Sequence, residues 1–154
     1  MRVAVVSLAL LASAIAPGFA QDKMVLLAGP SDVKWQPAPP DLPKGAELAV
    51  LAGDPSKSGP FVIRLKLPAD YQIPAHHHST TENVTVISGS LHAGMGDKLD
   101  KQTSKGFDPG GFVSMPAKMN HFAWAADPTI IQIAAEGPFD IIYVDPANDP
   151  TKHK

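Results

Sequence analysis

Apolar and polar residues alternate with a period of two through several short segments of the chain. FVIRLKL at 61–67 alternates along its whole length, NVTVIS at 83–88 is rich in β-branched residues, and TIIQIAA at 129–135 and FDIIYV at 139–144 follow the same pattern. Successive side chains on a strand point to opposite faces, so each segment reads as a strand with one face turned to a core. The chain has 16 prolines and 12 glycines, and they leave few windows long enough for an amphipathic helix. Short strands between such breakers predict an all-β domain, a sandwich or a barrel, with little helix.

The connecting pieces divide the chain. Residues 36–43, QPAPPDLP, carry four prolines and predict an extended arm lying on the domain surface or on a neighbouring subunit. The polar, Gly-rich stretch 96–111, GDKLDKQTSKGFDPGG, reads as a loop between two β segments, and DPANDPTKHK at the end reads as a polar tail. The first twenty residues, MRVAVVSLALLASAIAPGFA, differ in kind: Arg2 precedes an apolar run from Val3 to Ala16, and the small residues Gly18 and Ala20 follow. That is the pattern of a bacterial secretory signal peptide, and the run breaks at Pro17, short of the ~20 apolar residues that a membrane-spanning helix needs. The expected organisation is a leader at 1–20, N-terminal strands and the proline-rich arm at 21–60, a core domain at 61–145 and a tail at 146–154. The mature protein is expected in the periplasm or outside the cell, free of the membrane.

Composition narrows the chemistry. A chain of 154 residues with 44% hydrophobic and 18% charged residues suits one compact domain. The formal charge is −2, and Lys98, Lys101 and Lys105 are interleaved with Asp97 and Asp100, so no basic face is offered to nucleic acid. Cysteine is absent, which removes disulfides, thiolate nucleophiles, iron–sulfur clusters and cysteine-bearing copper sites. Any metal must be held by histidine and carboxylate.

Three of the six histidines stand together in PAHHHSTTE at 74–82. On a strand His76 and His78 share one face and His77 takes the other, and two imidazoles roughly 7 Å apart at the backbone can converge on one ion. Pro74 disfavours a helix, on which the same pair would diverge. Glu82 opens the next apolar run after a short polar turn, where a returning strand would set it beside the histidines. His121 begins another apolar run after Pro116. His76, His78, Glu82 and His121 form a ligand set suited to one divalent transition ion, Fe, Mn, Ni, Cu or Zn, with positions left for water or substrate.

The spacing of these residues resembles the two motifs of the cupin family. The first motif runs Gly, five residues, His-x-His, three or four residues, Glu, six residues, Gly; His76, His78, Glu82 and Gly89 match it, with Asp70 in place of the leading Gly. The second runs Gly, five residues, Pro-x-Gly, two residues, His, three residues, Asn; Gly110, Pro116 and His121 match it, with Lys118 and Ala125 in place of Gly and Asn. With flanking strands the resemblance covers about residues 61–145. It implies a small single-domain bacterial cupin, that is, a double-stranded β-helix or jelly-roll barrel with the metal inside. It also implies a homodimer, to which the proline-rich arm can contribute by crossing to a neighbour.

Alternation carries the site further. If Glu82 points inward so do Val84 and Val86, and His121 takes Ala123 and Ala125 with it, giving a small-sided apolar wall. Met115, Met119, Phe122 and Trp124 are candidates for the mouth, and His92 for a supporting or rim position. His77 is expected outside the site, and His153 belongs to the tail. The leading functional expectation is an oxygenase-type enzyme acting on a small organic substrate, with Glu82 as the catalytic base. A redox-neutral isomerase or decarboxylase, or a non-catalytic small-ligand or metal-binding module, would use the same ligands, because a fold does not fix a reaction.

Overall fold

A computed structural model describes residues 24–27 and 29–152; the leader at 1–20 and His153 lie outside the described residues. The strands are β1 (Gln36–Pro37), β2 (Glu47–Ala52), β3 (Gly59–Leu67), β4 (Gln72–His77), β5 (Glu82–Ser88), β6 (Leu91–Met95), β7 (Lys105–Phe107), β8 (Phe112–Met115), β9 (His121–Ala125), β10 (Thr129–Gly137) and β11 (Ile142–Tyr143). Helix among the described residues is limited to three short 3-10 turns, at Pro30–Asp32, Pro146–Asn148 and Pro150–Lys152. The strands form two sheets in the orders β1-β2-β3-β10-β5-β8 and β11-β4-β9-β6-β7, antiparallel throughout.

The alternation of the sequence is the alternation of the walls. Phe61, Ile63, Leu65 and Leu67 of β3 are buried, as are Val84 and Val86 of β5 and Ile131 and Ile133 of β10, and together they form the inner face of the six-stranded sheet, in one core with Ile73, Leu91, Ala93, Ala123 and Ala125 of the other sheet. β10 pairs with β3 over its whole length, Thr129 to Leu67 through Gly137 to Gly59, and with β5 on its other side. Each strand thus presents its apolar row to the core with polar residues outward, as an antiparallel sheet with one wet face requires.

Three expectations are corrected, and of the two places expected for the arm the first is taken. The segment 139–144 is a strand only at Ile142–Tyr143; residues 139–141 turn inward instead and line the cavity described below. The stretch 96–111 is not wholly loop, since Lys105–Phe107 pairs with β6. The proline-rich arm lies on its own barrel. Ala38 donates its amide to the Ala46 carbonyl, the Tyr71 hydroxyl donates to the Pro43 carbonyl, and the Tyr143 hydroxyl donates to the Asp41 carbonyl at 2.7 Å, which sets Pro39, Asp41 and Leu42 over the mouth of the cavity. Finally, His92 and Trp124 lie on the outer face of the five-stranded sheet, stacked with centroids 4.0 Å apart. There the Trp124 indole donates to Ser104 Oγ at 3.1 Å and Lys101 Nζ sits 4.2 Å from its ring centre.

The departures from the Gly positions of the two motifs fall where the backbone is left-handed. Asp70 has φ 60° and Lys118 has φ 63°, a region costing an ordinary L-residue roughly 1–2 kcal/mol. The turn geometry is kept without glycine. Lys118→Gly should relieve that cost, offset in part by the greater freedom of glycine in the unfolded chain, for a net gain of about 0.5 kcal/mol. A small rise in the chemical-denaturation midpoint at unchanged slope checks this; a fall would show that the Lys118 side chain outweighs the backbone term.

Candidate metal centre

The site is assembled where strands of both sheets end. His76 comes from the end of β4 and His78 from the residue just past it, His121 from the start of β9, and Glu82 from the start of β5 in the opposite sheet. The turn from Ser79 to Thr81 carries the chain from one sheet to the other. His76 and His121 are direct register partners.

A bulge sets the phase of β4. Ile73 pairs with Ala123 and His76 with His121, so three steps on β4 match two on β9. Ile73 and His76 both line the cavity although they are an odd number of residues apart, which unbroken alternation forbids. The extra residue falls at Pro74–Ala75, where Pro74 has no N–H for the ladder. It turns His76 and His78 inward and sends His77 out to Asn120, whose Oδ1 lies 3.0 Å from His77 Nδ1.

The four candidate ligands are buried. One ligand nitrogen from each of His76, His78 and His121 lies within 4.8 Å of the others, and the Glu82 carboxylate lies 3.3 Å from His78 Nε2 and 3.5 Å from His121 Nε2. Each imidazole is oriented from behind by a backbone carbonyl. His76 Nδ1 meets Pro74 O at 2.7 Å, His121 Nδ1 meets Met119 O at 2.9 Å, and His78 Nδ1 meets Asp140 O. An Nδ1–H donating to a carbonyl leaves Nε2 as the free ligand nitrogen. Nε2 of His78 and His121 is buried without a hydrogen-bond partner among the described residues.

Electrostatics hold His76 and Glu82 in ligand form and favour a proton on His78. Burial, reinforced by the neighbouring His121 and His78, pulls His76 down to about 3, so it is neutral at any ordinary pH. Burial also acts to lower His78, but the Glu82 carboxylate outweighs it and holds His78 above the usual imidazole range. Glu82 itself is pushed up by burial and pulled further down by His121 and His78, so it is a carboxylate well below the usual range. The place between His78 and Glu82 that a proton fills is one that a cation can take, with release of the proton.

The set fits a first-row divalent ion. Three imidazoles and one carboxylate without a thiolate are the donors such ions accept. Three nitrogens at ~2.1 Å from one ion stand roughly 3.0–3.4 Å apart, so the rings, whose ligand atoms lie within 4.8 Å of one another, must draw together by up to about 1–2 Å in separation to close on it.

Sequence reasoning did not find the supports. Asp140 accepts from the Ser79 amide at 2.7 Å and from the Ser79 hydroxyl, while Phe139 stacks on His78 with centroids 4.4 Å apart. The Lys118 amide donates to the His78 carbonyl at 2.8 Å, tying the two motifs together. No local pattern marks residues 61 positions away in the chain as partners. Of the mouth candidates Met115 lines the cavity, whereas Met119 serves through its carbonyl, and Phe122 is buried against Gly94.

The histidines line a cavity of about 240 Å³.

Among solved structures the chain is similar to the polyketide cyclase RemF from Streptomyces resistomycificus, at 17% identity and TM-score 0.66, over 84% of this chain and 92% of that one. It is similar to a candidate acetylacetone dioxygenase from Methylibium petroleiphilum, at 18% identity and TM-score 0.61, over 86% and 90%. An RmlC-like cupin from Shewanella frigidimarina matches at 12% identity and TM-score 0.55, over 71% and 87%. At such identities the likeness establishes the fold, the cupin double-stranded β-helix. No curated protein sequence matches the chain. The family model described as Domain of unknown function (DUF4437) matches residues 10–142, and the chain belongs to that family, carrying its site in a cupin barrel.

Proposed function

We propose that this protein is a metal-binding cupin in which Nε2 of His76, His78 and His121 and an oxygen of Glu82 hold one divalent transition ion, and that the loaded site carries out oxygenase-type chemistry on a small organic substrate. The observation that carries the reading is the pair of buried Nε2 atoms on His78 and His121, which make no hydrogen bond among the described residues, converge on one Glu82 oxygen at 3.3 and 3.5 Å and are fixed from behind by backbone carbonyls. Apolar residues can fill a core without such groups; leaving them unpaired is costly.

When bound, a redox-active ion supplies electron transfer and Lewis acidity. The protein's own groups do the rest. The carbonyls of Pro74, Asp140 and Met119 hold the three rings in one orientation. Glu82, once released from the ion, can take a proton from an enolic or phenolic substrate. The cavity walls keep bulk water from the reacting end, and the arm at 38–43 narrows the entrance.

A binding module without catalysis is the second reading. It is favoured by the lack of a Lys, Arg, Cys or Tyr side chain among the described cavity-lining residues, whose only acid–base groups beside the four at the site are Asp41 and Asp140. Asp41 and Asp140 belong to the segments over the mouth. Export through the leader at 1–20 is part of the proposal, supported by its charge and apolar pattern.

Elemental analysis of the purified mature protein, followed by oxygen uptake with enolic and phenolic compounds, tests the reading. About one Fe, Mn, Ni or Cu per chain with substrate-dependent uptake is expected. Zinc alone, with no uptake after replacement by iron, would overturn the oxygenase reading in favour of the binding module. No metal, either as purified or after incubation with each ion, would overturn the metal reading and leave only a small-ligand module.

A further inference from the structure

We propose that the cavity selects a neutral guest with an apolar body and its oxygen atoms at one end, and that it rejects carboxylates, sugars and phosphate esters. The oxygen-bearing end rests on the metal reading above; the apolar selection belongs to the cavity itself.

The register of the strands arranges the cavity in layers. Ile63, Ile133 and Val84 stand in one row across β3, β10 and β5, and Leu65 and Ile131 stand in the next. All five line the cavity. Glu82 begins β5, two residues before Val84, so the polar groups of the site form one layer and the aliphatic rows lead away from it. A guest that satisfies both must carry its polar atoms together at one end.

The lining also lacks what charged or hydroxylated guests require. No Lys, Arg, Asn or Gln lines the cavity among the described residues. The cations of β3 alternate outward, where Lys66 pairs with Glu47 at 2.6 Å and Arg64 donates to Gln132 at 3.1 Å. The one lining hydroxyl, that of Ser56, donates to Asp54 at 2.7 Å. The Tyr71 and Tyr143 hydroxyls, which would suit a sugar, are committed to the carbonyls of the arm. The remaining charged groups, Glu82, Asp41 and Asp140, are all acidic. An anion would therefore be desolvated next to like charge, and a sugar would bury hydroxyls without partners.

A matched pair of probes tests this on the unaltered protein. Cyclohexanone and cyclohexanecarboxylate have similar bodies and differ in charge; glucose 6-phosphate adds hydroxyls and a phosphate. Calorimetric titration of metal-free protein should show cyclohexanone at least tenfold tighter than cyclohexanecarboxylate, and no binding of the sugar phosphate. With the zinc-loaded protein cyclohexanone should tighten through its carbonyl oxygen; the charge selection is read in the metal-free form, because a carboxylate can itself bind zinc. In metal-free protein, carboxylate or phosphate binding as tight as that of cyclohexanone, or no cyclohexanone binding, would overturn the proposal. If zinc fails to bind while the preference persists in metal-free protein, the metal reading fails and this one stands. Shifts of the Ile131 and Ile133 methyl resonances on adding cyclohexanone place the guest inside the barrel; unmoved methyls with saturable binding would place it elsewhere and also overturn the inference.

Discussion

Replacing His76, His78 or His121 with alanine is expected to empty the metal site and lower the melting temperature of the metal-supplemented protein. Each histidine supplies one of three nitrogens that meet within 4.8 Å, and loss of one leaves two imidazoles and a carboxylate. Removing merely a supporting group of a metal ligand typically costs 10–100-fold in affinity, so loss of a ligand should cost about 100-fold or more. An ion held at about 100 times its dissociation constant stabilises the folded state by about 2.7 kcal/mol. At about 4 °C per kcal/mol for a domain of this size, its loss should lower Tm by about 10 °C. His77→Ala is the control. Its ring faces Asn120 on the other side of the strand, so it should keep the metal and lose at most about 1 kcal/mol. Metal content and Tm unchanged in the three ligand variants would contradict the site, and metal loss in His77→Ala would contradict the bulge that sets its facing.

Gly89→Ala is expected to be severely destabilising through the backbone. Gly89 ends the first motif with φ 80°, and a Cβ there would lie 2.4 Å from the Pro128 carbonyl oxygen and 2.5 Å from Thr129 Oγ1. Thr129 is itself fully buried and joins the two turns, accepting from the Ser90 amide at 3.0 Å and donating to the Asp127 carbonyl at 2.7 Å. The left-handed backbone costs alanine roughly 1–2 kcal/mol, and forcing a methyl into a packed contact adds typically 1–3 kcal/mol. A total of about 3 kcal/mol, or about 12 °C in Tm, is expected. Gly110→Ala separates the two terms, because Gly110 has nearly the same φ, 88°, with nothing within 4 Å of the added Cβ. Gly110→Ala should therefore cost only the backbone term. Equal losses in both variants would show that the contact with Pro128 and Thr129 contributes nothing.

The fold was legible wherever one strand face is dry and the other wet, as in 61–67 and 129–135, because a period of two then records the wall directly. It was illegible where tertiary contact overrides the pattern. In 139–144 the apolar residues alternate well enough for a strand, yet Phe139 to Ile141 are drawn over the cavity by stacking on His78 and by the Phe139 amide bonding to the Pro55 carbonyl at 2.8 Å. A three-residue strand such as Lys105–Phe107 is too short to carry an apolar rhythm.

The site shows the same division. The motif spacing located the residues now found together, His76, His78 and His121 with Glu82 beside two of them. The bulge at Pro74–Ala75 that aims the first two was announced only by the proline. His92 was misleading because alternation within β6 cannot say which face of the sheet is inside; its ring went outward to Trp124. The arm at 36–43 was legible as extended but not in its destination, since the tyrosines that hold it are 28 and 102 residues away.

The most direct measurement of the central claim is anomalous diffraction from crystals of the protein loaded with zinc. The account predicts one strong peak inside the barrel, about 2.1 Å from Nε2 of His76, His78 and His121 and about 2.0–2.2 Å from an oxygen of Glu82. A peak elsewhere, or one bonded to fewer than three of these four side chains, would contradict it.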